Sequence, residues 1–169
     1  MKELLPRHES IRGWFAYELY QHMLKDKDIW LLVGDLGFGM WDAVRRDFPE
    51  RTYNCGASEQ AMLGIACGLA LEGKKVFCYS ITTFLLYRGF ETIRNYINHE
   101  QIPIRLVGSG RDKDYHIDGF SHDSSDAKLI LETALPTINT LWPDTKEEIP
   151  EMINRMVNED KPWFISLCR

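Results

Sequence analysis

The chain has 169 residues, enough for one compact domain around a single buried core and too few for two full domains. A hydrophobic fraction of 44% with a charged fraction of 27% excludes the disordered and fibrous classes. The formal net charge of −5, with no cluster of Lys and Arg, argues against nucleic acid as a partner.

The cysteines and histidines give no sign of a metal site. No C-x-x-C pair and no H-x-x-x-H pair occurs, so any metal is expected to come with a ligand or a partner. The polar segment Met1 to Ser10 carries no apolar run of signal-peptide type, and no later run is long enough to span a membrane. We therefore expect a cytoplasmic protein with reduced thiols, namely Cys55, Cys67, Cys78 and Cys168.

Hydrophobic periodicity predicts strands and helices that alternate along the chain. A helix is expected after Glu9 and Ser10 and should end near residues 25–27, and a buried strand with a glycine loop follows it. The predicted strands are Ile29 to Val33, Thr52 to Asn54, Lys75 to Ser80, Ile104 to Val107, Thr137 to Leu141 and Trp163 to Leu167. The later helices are Ser58 to Leu71, Arg88 to His99, a short one after residue 124, and Lys146 to Asn158.

This alternation predicts the α/β class. We expect residues 1–169 to form a single three-layer domain, with a mainly parallel sheet of about six strands and helices on both faces. Ligands in such sheets lie beyond the carboxyl ends of the strands. The loops that start at Gly34, Asn54, Ser80 and Gly108 are therefore the candidate functional loops.

The helix after Asn54 has an unusual face of small residues. Ala57, Ala61, Gly64 and Gly68 recur at intervals of three and four, although each interior glycine costs about 1 kcal/mol of helix stability relative to alanine. One explanation is tight packing against the domain's own sheet, with Glu59 as a solvated carboxylate in the first turn. The other is that a ligand or partner approaches this face closely.

The same segment resembles, almost position by position, the signature of transketolases and deoxyxylulose-phosphate synthases, in which an acidic-Gln pair follows a glycine turn. Glu59-Gln60 occupies that place, and the resemblance extends over roughly Ile29 to Ile149. It implies thiamine diphosphate as the cofactor. It also implies that Glu59 hydrogen-bonds the aminopyrimidine ring nitrogen and so activates the cofactor.

Two further segments match the same family. Phe84, Tyr87 and Phe90 resemble its aromatic wall for the pyrimidine ring, although an aromatic stripe at this spacing is usually part of a core. The segment from Asp118 to His122 resembles the family's Asp-Gly-Pro-Thr-His, with Phe and Ser in place of Pro and Thr. That match implies substrate orientation by both end residues and proton transfer by His122, although a His in a polar loop is more often merely solvated.

The first glycine loop carries a weaker signal and several departures from the family. Resemblance places Asp35 near the active site and the subunit interface, whereas the residues alone indicate a simple turn. The chain has Gly34-Asp35-Leu36 instead of the family's Gly-Asp-Gly segment, which helps to bind Mg²⁺ and the diphosphate. These two groups are therefore expected to be held by a partner. Gly110 replaces a family histidine, and its neighbour Arg111 becomes the candidate basic contact to substrate.

The resemblance implies a subunit of a split transketolase-like transferase. It would move a two-carbon ketol unit between sugar or sugar-phosphate substrates, and it would be active only with a diphosphate-binding subunit, in a heterotetramer with a homodimeric core. The family's diphosphate-binding and C-terminal domains are expected to be absent. A thiamine-dependent 2-oxoacid decarboxylase or dehydrogenase subunit, and a non-catalytic assembly subunit, remain the alternatives.

Overall fold

The structure, a computed structural model, describes residues 9–169. The polar N-terminal segment, expected to carry no signal peptide, lies outside the described residues except for Glu9 and Ser10. Among residues 9–169, no helix combines the length and the apolar character needed to cross a membrane.

Six parallel strands form one sheet, and their bounds are β1 Ile29–Val33, β2 Thr52–Asn54, β3 Lys75–Ile81, β4 Arg105–Ser109, β5 Asn139–Leu141 and β6 Trp163–Leu167. Their order in the sheet is β2-β1-β3-β4-β6-β5. Helices cover both faces of this sheet, and β1, β3, β4 and β6 are buried over nearly their whole length.

Helices fill the connections between the strands. The first one begins after Ser10, whose side chain accepts a hydrogen bond of 3.1 Å from the Gly13 backbone amide. The α-helices are α1 Ile11–Lys25, α2 Asp42–Asp47, α3 Glu59–Leu71, α4 Phe90–Thr92, α5 Ala127–Ala134 and α6 Ile149–Asn158. Two π-helical segments, Phe84–Arg88 and Ile93–His99, flank α4, and short 3-10 turns lie at Pro49–Arg51, His116–Asp118, Phe120–His122 and Lys146–Glu148.

The sheet separates two hydrophobic cores, which makes three layers. One core lies under α1, α2 and α6 and contains the buried rings of Trp41 and Trp163. The other lies under α3, α5 and the segment from residue 84 to residue 99. The predicted α/β fold with a six-stranded sheet and helices on both faces is therefore confirmed.

The predicted start of one helix was too late in the chain. The helix expected to start at Arg88 begins at Phe84 and contains π-helical turns, in which hydrogen bonds span five residues instead of four. Because each residue in such a turn rotates the chain by less than in an α-helix, residues three apart no longer share a face. The equal spacing of Phe84, Tyr87 and Phe90 therefore does not place their rings side by side.

The strand order reverses beside β1. From β1 the chain passes to β2 on one side, and it then crosses back to β3 on the other side. Connections that leave β1 and β3 in opposite directions open a crevice at the carboxyl ends of these two strands, which is where ligands bind in open parallel sheets.

Candidate active site

The crevice between β1 and β3 contains a buried carboxylate. Glu59 is the first residue of α3 and is 1% exposed. Its Oε1 accepts a hydrogen bond of 2.7 Å from Ser80 Oγ, near the end of β3. A Cβ on Gly34 would lie 2.8 Å from Ser80 Oγ and 3.1 Å from Glu59 Oε1. The glycine after β1 therefore allows Ser80 and the Glu59 carboxylate to pack closely against the end of this strand.

Arg88 completes the environment of this carboxylate. Its Nη1 donates a hydrogen bond of 2.8 Å to Glu59 Oε2, and its guanidinium lies 3.8 Å from the centroid of the Phe84 ring. The ion pair compensates a charge that would otherwise be costly to bury. Sequence reasoning missed Arg88 because the segment around it was interpreted through its aromatic residues. The sequence nevertheless carried a signal, because the cation Arg88 and the carboxylate Glu59 both belong to the segments that match the family.

The three predicted wall aromatics have different surroundings. Phe84 contacts the Arg88 guanidinium, and its ring meets that of His122 edge-on with 4.8 Å between centroids. The Tyr87 hydroxyl donates a hydrogen bond to the Asp126 carboxylate. Burial and this hydrogen bond raise the pKa of Tyr87.

Phe90, in contrast, packs against the hydrophobic core beneath α3. The structure thus brings Phe84 next to the Glu59–Arg88 pair. A contact of Tyr87 or Phe90 with the cofactor stays a prediction.

The loop from residue 116 to residue 122 brings His122 to the crevice. Gly119 joins two 3-10 turns with a φ of +91°, a conformation that favours glycine. Thr83 Oγ1 donates a hydrogen bond of 2.8 Å to the Ser121 carbonyl and ties the loop to the end of β3. Ser121 Oγ lies 3.0 Å from His122 Nδ1. One imidazole nitrogen therefore has a partner in the loop.

A cavity of about 770 Å³ opens on the other face of the sheet, beneath the start of α1. Arg12 supplies its positive charge, and Arg12 Nη1 donates a hydrogen bond of 2.6 Å to Tyr115 Oη. The Tyr115 ring also lies 6.4 Å from that of His122, so this tyrosine connects the cavity with the crevice. The remaining lining residues are Ser10, Gly13, Ala16, Tyr17, Leu36, Gly37, Phe38, Gly39, Met40, Tyr79, Ile81 and Asp118.

Asp35 joins the ends of β1 and β2. Its backbone amide donates to Asn54 Oδ1 at 3.0 Å, and Asn54 Nδ2 donates back to Asp35 Oδ1 at 3.0 Å. Asp35 has a φ of +57°, which is uncommon for a residue with a side chain and is found at functional sites. The aspartate is exposed at the carboxyl end of the sheet, and its role toward substrate or partner stays a prediction.

The predicted substrate contact Arg111 is occupied by protein groups. Its guanidinium donates to Asp144 Oδ1 at 3.0 Å, to the Pro143 carbonyl at 2.7 Å and to the Ser166 carbonyl at 2.8 Å. These bonds hold the residue against β6 and the loop after β5. Within the described residues, Arg12 is the arginine that lines the large cavity. Sequence reasoning missed Arg12 because this residue lies on α1, before Ile29, where the family resemblance begins.

The small-residue face of α3 points away from the domain's own sheet. Ala61, Gly64 and Gly68 are exposed, and a Cβ on either glycine would meet no described atom within 4 Å. Ile65 on the same face is 51% exposed. Packing against the domain's own sheet therefore does not explain these residues, and the face is open to a separate chain.

The arrangement can hold a flat ring but offers no cage for a metal ion. The Phe84 ring and the Glu59 carboxylate line a crevice in which stacking and one hydrogen bond suit a heteroaromatic ring. Within residues 9–169 there is no group of three or more His, Cys, Asp or Glu residues arranged to bind a metal.

Comparisons with known proteins agree with this geometry. A protein of Methanocaldococcus jannaschii named as a transketolase C-terminal section is 27% identical over 170 residues, covering 100% of this chain and 54% of that protein. A protein of Phocaeicola vulgatus named as one of the subunits of apulose-4-phosphate transketolase is 26% identical over 161 residues, covering 95% of this chain and 51% of its own length. The chain thus spans about half the length of these relatives.

A solved structure described as a split gene transketolase, an inactive beta4 tetramer, superimposes with a TM-score of 0.81 at 25% identity. The match covers 95% of this chain and 52% of the other. The family model for the transketolase pyrimidine binding domain matches residues 9–169, which is nearly the whole chain. The chain therefore belongs to the transketolase pyrimidine-binding domain family.

Proposed function

We propose that this chain is the pyrimidine-binding part of a split, thiamine diphosphate-dependent transketolase that transfers a two-carbon ketol unit between sugar-type substrates. The main support is the buried Glu59 carboxylate at the β1–β3 crevice, with Phe84 and His122 beside it. A residue that served only the fold would not need a carboxylate at a place where burial disfavours charge.

The crevice is proposed to bind the aminopyrimidine ring of the cofactor. Glu59 would hydrogen-bond the ring nitrogen, Phe84 would stack on the ring, and Gly34 lets Ser80 and Glu59 pack closely against the end of β1. When bound, thiamine diphosphate supplies the carbon nucleophile on which ketol transfer depends. The task of Glu59 is to hold a proton that it shares with the ring nitrogen.

His122 and Asp118 are proposed to orient the substrate and exchange protons with it. Ser121 Oγ engages Nδ1 of the imidazole, which leaves Nε2 for a substrate hydroxyl. Asp118 lines the large cavity four residues earlier in the same loop. One loop thereby joins the crevice, where a ring would bind, to the cavity, where a sugar chain would bind.

The charge in that cavity favours an anionic substrate. Arg12 is held by Tyr115 and by a longer contact of 3.4 Å to Ser109 Oγ, so its guanidinium is fixed in position toward the cavity. Guanidinium groups bind phosphate oxygens through charge-assisted hydrogen bonds. We therefore propose a sugar phosphate as one of the substrates.

A partner subunit is part of the proposal. Residues 1–169 would provide a single pyrimidine-binding domain, and the partner would hold Mg²⁺ and the diphosphate. The exposed face of α3 offers a surface on which another chain could pack closely. A heterotetramer with a homodimeric core would use it. All four cysteines are free thiols, which supports a cytoplasmic enzyme.

The test is a calorimetric titration of thiamine diphosphate with Mg²⁺ into the chain alone and into its mixture with a diphosphate-binding subunit from the same genome. We expect binding in the mixture. The mixture should then be assayed with a ketose donor and with a 2-oxo acid. Ketol transfer from the ketose supports the proposal, whereas release of carbon dioxide from the 2-oxo acid would identify a decarboxylase.

Replacing Glu59 distinguishes a catalytic role of this chain from a role in assembly alone. Glu59→Gln keeps the size and the hydrogen-bond acceptor for Ser80, but it cannot share a proton, so transfer should fall about 10²- to 10⁴-fold. Glu72→Gln, at the other end of α3, is the matched control and should retain activity. Unchanged transfer by Glu59→Gln would leave only the assembly role.

A further inference from the structure

The Arg88 side chain covers both groups that a bound ring would need. Its Nη1 donates to Glu59 Oε2 at 2.8 Å, and the same guanidinium lies over the Phe84 ring at 3.8 Å from the centroid. The carboxylate oxygen left free by Ser80 and the aromatic face beside it are therefore both occupied by one planar group.

A guanidinium and an aminopyrimidine share the features that this place recognises. Both are flat and both stack on an aromatic face, and both can place an N–H group in their plane against a carboxylate, the guanidinium as it stands and the ring when its nitrogen shares a proton with Glu59. The contacts of Arg88 are thus the contacts expected of the cofactor's ring. The two groups cannot occupy the same position at once.

We propose that Arg88 is a displaceable plug of the pyrimidine subsite and a positioning residue for Glu59. This inference rests on the proposed function. In the cofactor-free chain Arg88 neutralises Glu59 and keeps the side chain in the orientation that the ring will use. Binding of the ring then replaces the Arg88 donor at Glu59 Oε2, and a proton taken up from solvent and shared between the carboxylate and the ring nitrogen replaces the charge of the guanidinium.

The exposure of the two partners indicates which one moves. The Arg88 side chain is 42% exposed, whereas that of Glu59 is 1% exposed. A long, flexible side chain at the mouth of the crevice can swing into solvent, and a short one beneath α3 cannot. Displacement of Arg88 also frees the Phe84 face, so one movement prepares both contacts.

A plug has a clear physical use in a site that is empty before assembly. A buried carboxylate without a partner strongly destabilises a protein. Arg88 supplies the missing partner until the cofactor arrives. It also weakens binding of the ring, because the interaction that is broken must be subtracted from the interaction that is formed.

The first test measures binding of the free pyrimidine half of the cofactor, 4-amino-5-hydroxymethyl-2-methylpyrimidine, to the full chain. Arg88→Met keeps the length of the side chain but has neither charge nor donor. We expect Arg88→Met to bind this probe about tenfold more tightly than the wild type, as removal of one charge-assisted hydrogen bond predicts. Arg94→Met, which removes an exposed arginine six residues later in the chain, is the control and should not change binding.

A double-substitution cycle shows whether the effect passes through Glu59. In the Glu59→Gln background, Arg88→Met should change probe binding by less than threefold, because the ion pair has already been removed. Probe binding by Arg88→Met that is equal to or weaker than that of the wild type, including no binding by either protein, would overturn the proposal.

A second measurement uses the wild-type protein and needs no variant to fold. NMR signals of the ¹⁵N-labelled Arg88 guanidinium should indicate restricted rotation in the free chain and free rotation when the probe saturates the site. Arg88 signals that stay unchanged at saturation would contradict displacement. These measurements do not depend on ketol transfer. The proposed role of Arg88 and the proposed function of the chain can therefore be disproved independently of each other.

Discussion

The crevice on the α3 side of the sheet and the cavity on the α1 side differ in almost every physical respect. The crevice is closely packed beside its buried carboxylate, because a Cβ on Gly34 would lie 2.8 Å from Ser80 Oγ, whereas the cavity has a volume of about 770 Å³ and holds an arginine. Both are assembled from residues that are distant in sequence, the crevice around Glu59 and Ser80 and the cavity around Arg12 and Tyr115. A site for a small flat ring needs local precision, and a site for an extended anion needs space and charge.

The largest effect is expected from filling the crevice. Gly34→Ala places a Cβ 2.8 Å from Ser80 Oγ, so we expect about 2 kcal/mol lower stability and loss of aminopyrimidine binding. Gly64→Ala adds the same group in open space on α3 and should raise stability by about 0.5 to 1 kcal/mol. Denaturant unfolding measures both. Equal effects at the two glycines would show that the crevice is not tightly packed.

A smaller effect should follow from removing a hydrogen bond inside the crevice. Ser80→Ala leaves Glu59 Oε1 without its donor and should lower the free energy of unfolding by about 1 to 2 kcal/mol. Ser58→Ala is the control, because the Ser58 side chain makes no capping hydrogen bond to the described first turn of α3. If both variants were equally stable, Ser80 would have no role in holding the carboxylate.

Substitutions in the cavity should change substrate binding and leave the free energy of unfolding nearly unchanged. Arg12→Met should raise KM for a phosphorylated substrate about tenfold with little change in kcat, because one charge-assisted contact is lost before and during the reaction. Arg111→Met gives the matched comparison. A larger rise in KM for Arg111→Met would restore the substrate role that its sequence position suggested and would remove it from Arg12.

The smallest effect concerns Tyr87, whose hydroxyl donates a hydrogen bond to the Asp126 carboxylate. Its pKa is raised by burial and by the hydrogen bond to Asp126, so the folded state keeps a proton that the unfolded state releases above its ordinary pKa near 10. The stability that this tyrosine contributes is fully present below pH 10 and is lost as the pH rises further. Tyr87→Phe should therefore show a weaker decline of stability between about pH 9.5 and 11. If the stability of Tyr87→Phe and of the wild type depended on pH in the same way, the raised pKa of Tyr87 would not contribute to stability.

Local patterns predicted much of the fold. Continuous apolar runs placed the strands Ile29–Val33 and Trp163–Leu167 at their observed bounds, because a strand buried on both faces leaves a nearly uninterrupted apolar signal. The short, largely exposed edge strand Thr52–Asn54 also has its predicted bounds. The segment from Phe84 to Arg88 was misjudged, because π-helical turns follow from packing and have no simple spacing in sequence.

The site was only partly predictable for a related reason. Glu59 belongs to a continuous motif and could be identified from its neighbours. The role of Arg88 follows from an ion pair across 29 positions, and that of Arg12 from a hydrogen bond across 103 positions. Such long-range contacts depend on the order of strands in the sheet, which a single sequence does not specify.

Helix α3 carries Glu59 at its first residue and the open face with Gly64 and Gly68 along its length. A chain that packs on this face holds the same rigid element that positions the carboxylate. Association between chains and loading of the crevice would then be coupled equilibria, and if one strengthens the other, the second strengthens the first by the same factor. Such reciprocity would let the amount of available cofactor regulate how much of the complex is assembled.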